Sequence, residues 1–269
     1  ESRVKMAAKA FAGASPVFEA VRRQDASAVR WLLDRGADPA ARNDAGRTPL
    51  HDAAVNGDLG TVQLLLAAGA APNARGAGGA TALHEAVGSD RVNVIPALIA
   101  RGADIHARNF AGETPLTLAL GRGTEVLKAL LTGGAALSVD SDGRSVLRVI
   151  LEAKPTAGFV EIALAAGART GDRDRSGATA LHAAVSQGYT EIVRLLVAGG
   201  ADIFARDRDG NSPLSLAMAA GQEALGAVVT ASNVNARDLL GNRPLHYAAQ
   251  TGNAAEAEFL LNLGADRGA

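Results

Sequence analysis

The sequence predicts an all-α fold, a solenoid of stacked helix-turn-helix units joined by β-turn or hairpin loops. The first observation behind this is a recurring string. It reads TPLH at 48–51, TALH at 81–84, TPLT at 114–117 and TALH at 179–182. Weaker copies are SPLS at 212–215 and RPLH at 243–246, and degenerate ones are SPVF at 15–18 and SVLR at 145–148. The second is the period: copies begin at 15, 48, 81, 114, 145, 179, 212 and 243, in steps of 33, 33, 33, 31, 34, 33 and 31 residues. The third is an apolar i, i+3, i+4 stripe, Val62, Leu65 and Leu66, behind the string in the second unit. One helical hairpin cannot bury its apolar face alone, whereas stacked neighbours can.

The elements follow in order. Residues 1–13 lie outside the repeat and are expected to form an extension or a short capping helix; the array runs over 14–269. In the second unit Thr48 is a good N-cap, and Pro49 suits the first helical position, where its missing N–H costs nothing. A short helix passes through Ala53 and Ala54, and Gly57 ends it. A second helix carries the apolar stripe, Gly69 closes it, and a polar loop from Asn73 to Gly79 leads to the next threonine. Alanines on the first helices let adjacent units approach closely. The whole reads as one continuous array.

The period, T-P-L-H at the first helix, L-L-x-x-G-A-D in the second and loops such as IHARN and VNARD resemble the ankyrin repeat. The likeness is strong in units 2, 3 and 6, partial in 4, 7 and 8, and poor in 1 and 5. Units 4 and 7 are shorter around their second helices. Unit 5 has Lys154-Pro155 in place of the turn glycine and Arg148 at the histidine position, which predicts an altered turn and a changed stacking angle. Unit 8 ends in GADRGA, which reads as the run-in to another repeat, and the chain starts with Glu1 rather than methionine. A processed form, or an interaction module of a larger polypeptide, is expected from those ends.

Composition sets the excluded classes. The 269 residues are 48% hydrophobic and 3% aromatic, with a net charge of -1 and no cysteine. No disulfide or thiolate chemistry is available, and no global field favours nucleic acid or an anionic membrane. No apolar run reaches the ~18 residues of a membrane span. The compartment stays open: cytoplasm, or periplasm if a signal segment was removed. Abundant alanine, with arginine far outnumbering Lys5, Lys9, Lys128 and Lys154, suggests a GC-rich bacterial coding sequence.

His51 beside Asp52 invites a catalytic or metal reading. His84, His182 and His246 hold the same repeat position, however, and equivalent rings about 8–10 Å apart cannot converge on a zinc ion that needs nitrogens within about 2.1 Å. The residue is instead expected to bond to nearby backbone and threonine and tie neighbouring repeats. His106 is expected to be a solvated loop residue. GAGGAT at 76–81 lacks the strand and lysine of a phosphate loop and reads as a turn. Trp31 is expected in the core. Neither a catalytic constellation nor a metal or cofactor site is expected.

Arginines Arg42, Arg75, Arg108, Arg173, Arg206 and Arg237 share one loop position, broken by Val139. They form either a ladder for an acidic segment or a set paired with local acids. The resemblance implies partner binding at turn tips and along the concave face of the first helices. The tip candidates are Asp44, Arg47, Phe110, Glu113, Arg175, Arg208, Asp209, Asn211, Leu239, Leu240 and Asn242. The helix-end candidates are Val55, Asn56, Arg122, Glu152, Gln187, Gln250 and Thr251. Phe110 and the Leu239-Leu240 pair stand out because the core does not explain them, although the leucines have the alternative of folding back onto unit 8. The implied function is a non-enzymatic, monomeric scaffold that binds another protein and neither binds nucleic acid nor inserts in a membrane. An inhibitor or immunity-type protein blocking a toxin or enzyme is a narrower version.

Overall fold

A computed structural model of the chain describes residues 15–132, 139–140, 143–153 and 155–267. The expected extension at 1–13 and Lys154 lie outside the described residues. The chain divides into two compact units, Glu1–Ala136 and Leu137–Ala269.

The first unit holds four helical hairpins among its described residues: α1 (Pro16–Arg22) with α2 (Ala26–Asp34), α3 (Pro49–Asn56) with α4 (Leu59–Ala67), α5 (Ala82–Gly88) with α6 (Ile95–Ala100), and α7 (Pro115–Arg122) with α8 (Thr124–Thr132). First helices pack on first helices and second on second, so α1, α3, α5 and α7 form one layer and α2, α4, α6 and α8 the other. The second unit repeats the plan with α9 (Val146–Ala153) and α10 (Ala157–Ala165), α11 (Ala180–Ser186) and α12 (Thr190–Ala198), α13 (Pro213–Ala220) and α14 (Gln222–Val228), and α15 (Pro244–Thr251) and α16 (Ala254–Asn262). Its layers are α9, α11, α13 and α15 against α10, α12, α14 and α16.

Local chemistry sets these boundaries. Thr48 precedes α3 in extended backbone, Pro49 opens the helix, and Gly57 closes it in the left-handed region at φ 74°. Asp58 then caps α4, its carboxylate accepting the Thr61 N–H at 3.1 Å. First helices other than α9 bury small residues, such as Ala53 and Ala54 in α3 and Ala184 in α11, beside Leu50 and Leu181. The second helices bury Val62, Leu65 and Leu66, or Ile192, Val193 and Leu196.

The shortening of units 4 and 7 lies mainly in the turn, where Gly123 alone separates α7 from α8 and Gly221 alone separates α13 from α14; α8 keeps nine residues and α14 has seven. Unit 3 has a second helix of only six residues, Ile95–Ala100, with Pro96 in its first turn. A proline tolerates that place, where its N–H is not needed, and no place further in. Trp31 is half-buried rather than part of the core, and the Arg35 guanidinium lies 4.0 Å from its ring centroid.

Burial sets the expected cost of core changes. Leu83 is fully buried, and Leu83→Ala should lower stability by about 2–5 kcal/mol. The exposed Leu239→Ser should stay within about 0.5 kcal/mol of the parent. Equilibrium urea unfolding of the two variants checks both.

Candidate functional site

The repeated histidine resolves first. The Thr48 N–H donates to His51 Nδ1 at 3.1 Å, which leaves the ring proton on Nε2. That N–H donates to the Ala80 carbonyl of the next hairpin loop at 3.1 Å. His84 repeats the arrangement with the Thr81 N–H and the Glu113 carbonyl, and His182 with the Thr179 N–H and the Asn211 carbonyl. His246 accepts the Arg243 N–H. Desolvation by burial lowers the pKa of His51, His84 and His182 against weaker opposing hydrogen bonds. Asp52 takes Arg47 rather than His51 as its hydrogen-bond partner, at 2.9 Å.

Four units lack the histidine, unit 1 having Phe18 there, and units 4, 5 and 7 show what it contributes. In units 4 and 7 Thr117 and Ser215 take its place, and their hydroxyls accept the Thr114 and Ser212 N–H at 2.8 Å each. Both hydroxyls then donate locally, to the Thr114 and Ser212 carbonyls. The cap survives, but a short side chain spends its proton at home. In unit 5 Arg148 reaches Glu152 at 3.0 Å and Asp174, in the next loop, at 3.5 Å. An ion pair replaces the hydrogen bond.

The loops between units are tight hairpins. An Asx residue opens all the tips but the one after Arg75, where Gly76 stands: the Asn43 N–H donates to the Arg47 carbonyl at 3.0 Å, and Asn43 Oδ1 accepts the Ala45 and Arg47 N–H groups. Asn109, Asp174, Asp207 and Asp238 do the same. Asp238 also accepts the Tyr247 hydroxyl at 2.5 Å, and that bond, outweighing desolvation, holds its pKa down to about 2.

The arginine column is architectural in a way neither sequence reading anticipated. Five of its guanidiniums donate to backbone carbonyls. Arg42 Nη1 donates to the Gly46 carbonyl of its own tip at 2.6 Å and to the Arg75 carbonyl at 2.7 Å. Arg75 reaches the Arg108 carbonyl, and Arg108 the Gly112 carbonyl. Arg173 spans Gly177 and Arg206, and Arg206 holds Gly210. Arg237 is exposed and makes no hydrogen bond or ion pair among the described residues.

The other expected contact residues divide between ties and exposed surface. Arg47 is drawn in to bridge Asp52 and Glu85, its side chain only 21% exposed. Asn56 donates to the Val21 carbonyl of the preceding hairpin, and the Val55 carbonyl accepts from Arg91. Asn109 donates to the Glu113 carboxylate, and Asn242 donates to Asp238. Arg122 lies 3.7 Å from Asp90, and Glu152 is held by Arg144 and Arg148. Gln250 and Thr251 are exposed at the end of α15, and Gln187 is exposed after α11. Asn211 lends its carbonyl to His182. Asp44, Arg175, Arg208 and Asp209 stand exposed on the tips.

Phe110 is 81% exposed, and Leu239 and Leu240 are fully or nearly so; the leucines do not fold back. Phe110 is nonetheless positioned. Its N–H donates to the Gly78 carbonyl of the preceding tip, and its ring occupies the place where a Cβ on Gly79 would come within 2.6 Å. The glycines of GAGGAT therefore make room: Gly79 for Phe110, and Gly76 for His51, whose Nε2 would lie 2.9 Å from an added Cβ. Phe204 was missed as a surface feature. It is half-buried, its ring 6.0 Å from that of Tyr247, and the only signal was an aromatic where sister loops carry Asn73 and Asn235. Those asparagines tie hairpins, donating to the Gly102 and Gly264 carbonyls. His106 is half-buried, its N–H on Asp104.

Among the described residues no cluster of three or more His, Asp or Glu could hold a metal. No helix among the described residues is long and apolar enough to cross a membrane.

Three family profiles match the sequence, described as ankyrin repeats in three copies over residues 17–109, ankyrin repeats in many copies over 164–217, and the ankyrin repeat over 240–269. No curated protein matches. Among solved structures, the chain is similar to the crystal structure of the ankyrin repeat domain of Bcl-3, described as a unique member of the IkappaB protein family. Identity is 31% and the TM-score 0.63, over 80% of this chain and 98% of that one.

The histidine ties set a pH dependence. Their pKa is lower folded than unfolded, so the unfolded chain takes up protons first. The ties' stability is complete above the unfolded value of about 6.5 and declines as pH falls below it toward the folded values. Urea midpoints should therefore drop between pH 7.5 and 5.5. His84→Thr, copying unit 4, should lose about 1 kcal/mol at pH 7.5 for the missing tie and flatten the profile.

Proposed function

The chain belongs to the ankyrin-repeat family, and on that premise we propose that it is a non-enzymatic protein-interaction scaffold of about eight repeats, binding a partner protein through its turn tips and concave first-helix face. The observation that carries this is the apolar display at the tips. Phe110, Leu239 and Leu240 are the largest hydrophobic side chains left at more than four-fifths exposure. Exposed aromatic and aliphatic groups beside arginine are the usual anchors of an interface.

The scaffold suits such docking because it is built in advance. Asx bonds and glycines fix each tip, carbonyl bonds from Arg42, Arg75 and Arg173 fix tips to their neighbours, and little ordering entropy is lost on binding. The partner surface we propose comprises Phe110, Glu113 and Asp44 in the first unit and Arg175, Arg208, Asp209, Leu239 and Leu240 in the second. Arg122 extends it onto the first-helix face of the first unit. Arg47, Val55, Asn56, Arg75, Arg108, Arg173, Arg206, Asn211 and Asn242 support that surface through the bonds already described. A bacterial origin fits the arginine-rich, alanine-rich composition.

Affinity capture with the intact chain from cells of its source, followed by mass spectrometry, identifies the partner. Phe110→Ser should then weaken that complex by about ten- to thirtyfold, the cost of a hot-spot aromatic, with an unchanged melting temperature. Arg42→Met should do the reverse, lowering the melting temperature while changing affinity little. Partner binding indifferent to Phe110, Leu239 and Leu240 together would remove the tip surface from the proposal.

A further inference from the structure

The second unit carries a groove of about 460 Å³ on its loop side, with Arg237, Leu239 and Leu240 along one wall and Arg206 and Phe204 on the other. Its origin is legible in the repeat step. Where the step is 33 residues, the guanidinium of one loop reaches the backbone of the next, as Arg173 reaches the Arg206 carbonyl. From Arg206 to Arg237 the step is 31 residues. There Arg206 turns to its own tip and to the Tyr247 hydroxyl, 3.5 Å away. The ladder stops at Arg206 and a gap opens between the loops; Arg237 does not make even the own-tip carbonyl bond that Arg206 makes, and has no partner among the described residues.

The lining has one unmet charge and one unmet apolar surface. Arg173 also lines the groove, which sets three guanidiniums against the carboxylates of Asp202 and Asp238. Both acids serve the chain itself. Asp202 accepts the Phe204 N–H at 2.8 Å, and Asp238 accepts the Leu240 and Asn242 N–H groups and the Tyr247 hydroxyl. Beside Arg237 the two leucines stand free of the core. Nothing in the packing of the hairpins calls for two leucines on a tip where sister tips carry Arg175 and Arg208.

We propose that this groove takes an extended acidic-apolar segment of the partner protein, with a carboxylate on Arg237 and a neighbouring aliphatic or aromatic side chain between Leu239, Leu240 and Phe204. A guanidinium takes a carboxylate in a two-point bond, and the leucines supply apolar area that a phosphate backbone would leave unused. The assignment rests on the interaction reading above and narrows it to one kind of segment at one place.

The test is selection of a displayed library of random linear peptides on the immobilised full chain. Enriched peptides should place Asp or Glu within a few residues of Leu, Ile, Met or Phe. A synthetic copy of the dominant peptide should bind Arg237→Glu at least tenfold more weakly, and the same for the Leu239→Ser/Leu240→Ser double variant. Phe110→Ser, in the other compact unit, should bind it unchanged. Circular dichroism melts of all variants should coincide, since the replaced side chains are exposed and make no described bonds.

Four results would overturn the assignment: no enrichment, peptides without an acid, binding indifferent to Arg237 and the leucines, or stronger retention of a single-stranded oligonucleotide than of any peptide. A self-association seen in sedimentation and removed by Leu239→Ser/Leu240→Ser would reassign the groove to a second copy of the chain. Peptide binding lost with Phe110→Ser but kept with Arg237→Glu would sink the groove and leave the broader interaction reading standing.

Discussion

Each hairpin loop turns backbone carbonyls toward the unit before it, and those carbonyls must find donors. The donors come from side chains set a fixed distance upstream. A histidine Nε2–H arrives from 29 residues earlier, as His51 to Ala80, and an arginine Nη1–H from 33 residues earlier, as Arg42 to Arg75. An unpaired carbonyl in a half-buried seam costs about as much as a lost hydrogen bond. The stacking of apolar helices supplies most of the drive, while these two bonds set the register at which the hairpins settle. The TPLH string and the arginine column are thus two ends of one device.

The device also explains how the array tolerates irregular units. Thr117 and Ser215 keep the N-cap and give up the reach. Arg148 keeps the reach through Asp174 and needs no carbonyl. Arg47, expected on the tip surface, makes a second seam with Glu85. A step two residues short, from Arg206 to Arg237, turns Arg206 from the next loop's carbonyl to its own tip and Tyr247, and leaves a groove between the loops. Departures from the repeat are therefore where the chain stops serving itself. The exposed Phe110, Leu239 and Leu240 lie on loop tips, outside both helical layers, and supply surface that the core does not use.

How legible was all this in the sequence? The helical pairs were, because period, N-cap threonine, Pro at the first position and left-handed glycine act locally and repeat. The histidine's role was legible by geometry alone, since rings one repeat apart cannot share an ion. The arginine column was visible as a pattern, but its partners were not. A neighbouring acid in sequence is an easy guess, and a carbonyl 33 residues away has no letter. Trp31 sat in an apolar stripe, but one turn of a helix decides between core and surface, and Arg35 closes over the ring instead. Pro96 marks a break within unit 3 that its repeat motifs on either side mask.

By itself the sequence determined the fold class, the repeat boundaries, the caps and the absence of cysteine chemistry. These depend on backbone preferences and apolar spacing, which are properties of neighbouring residues. Only the tertiary structure decided which polar side chains are spent within the molecule and which remain to meet another. Arg42 and Arg206 occupy the same letter and the same loop position. One donates to the next loop's backbone and the other to the Tyr247 hydroxyl, because that depends on where a carbonyl lies in space after two hairpins have stacked.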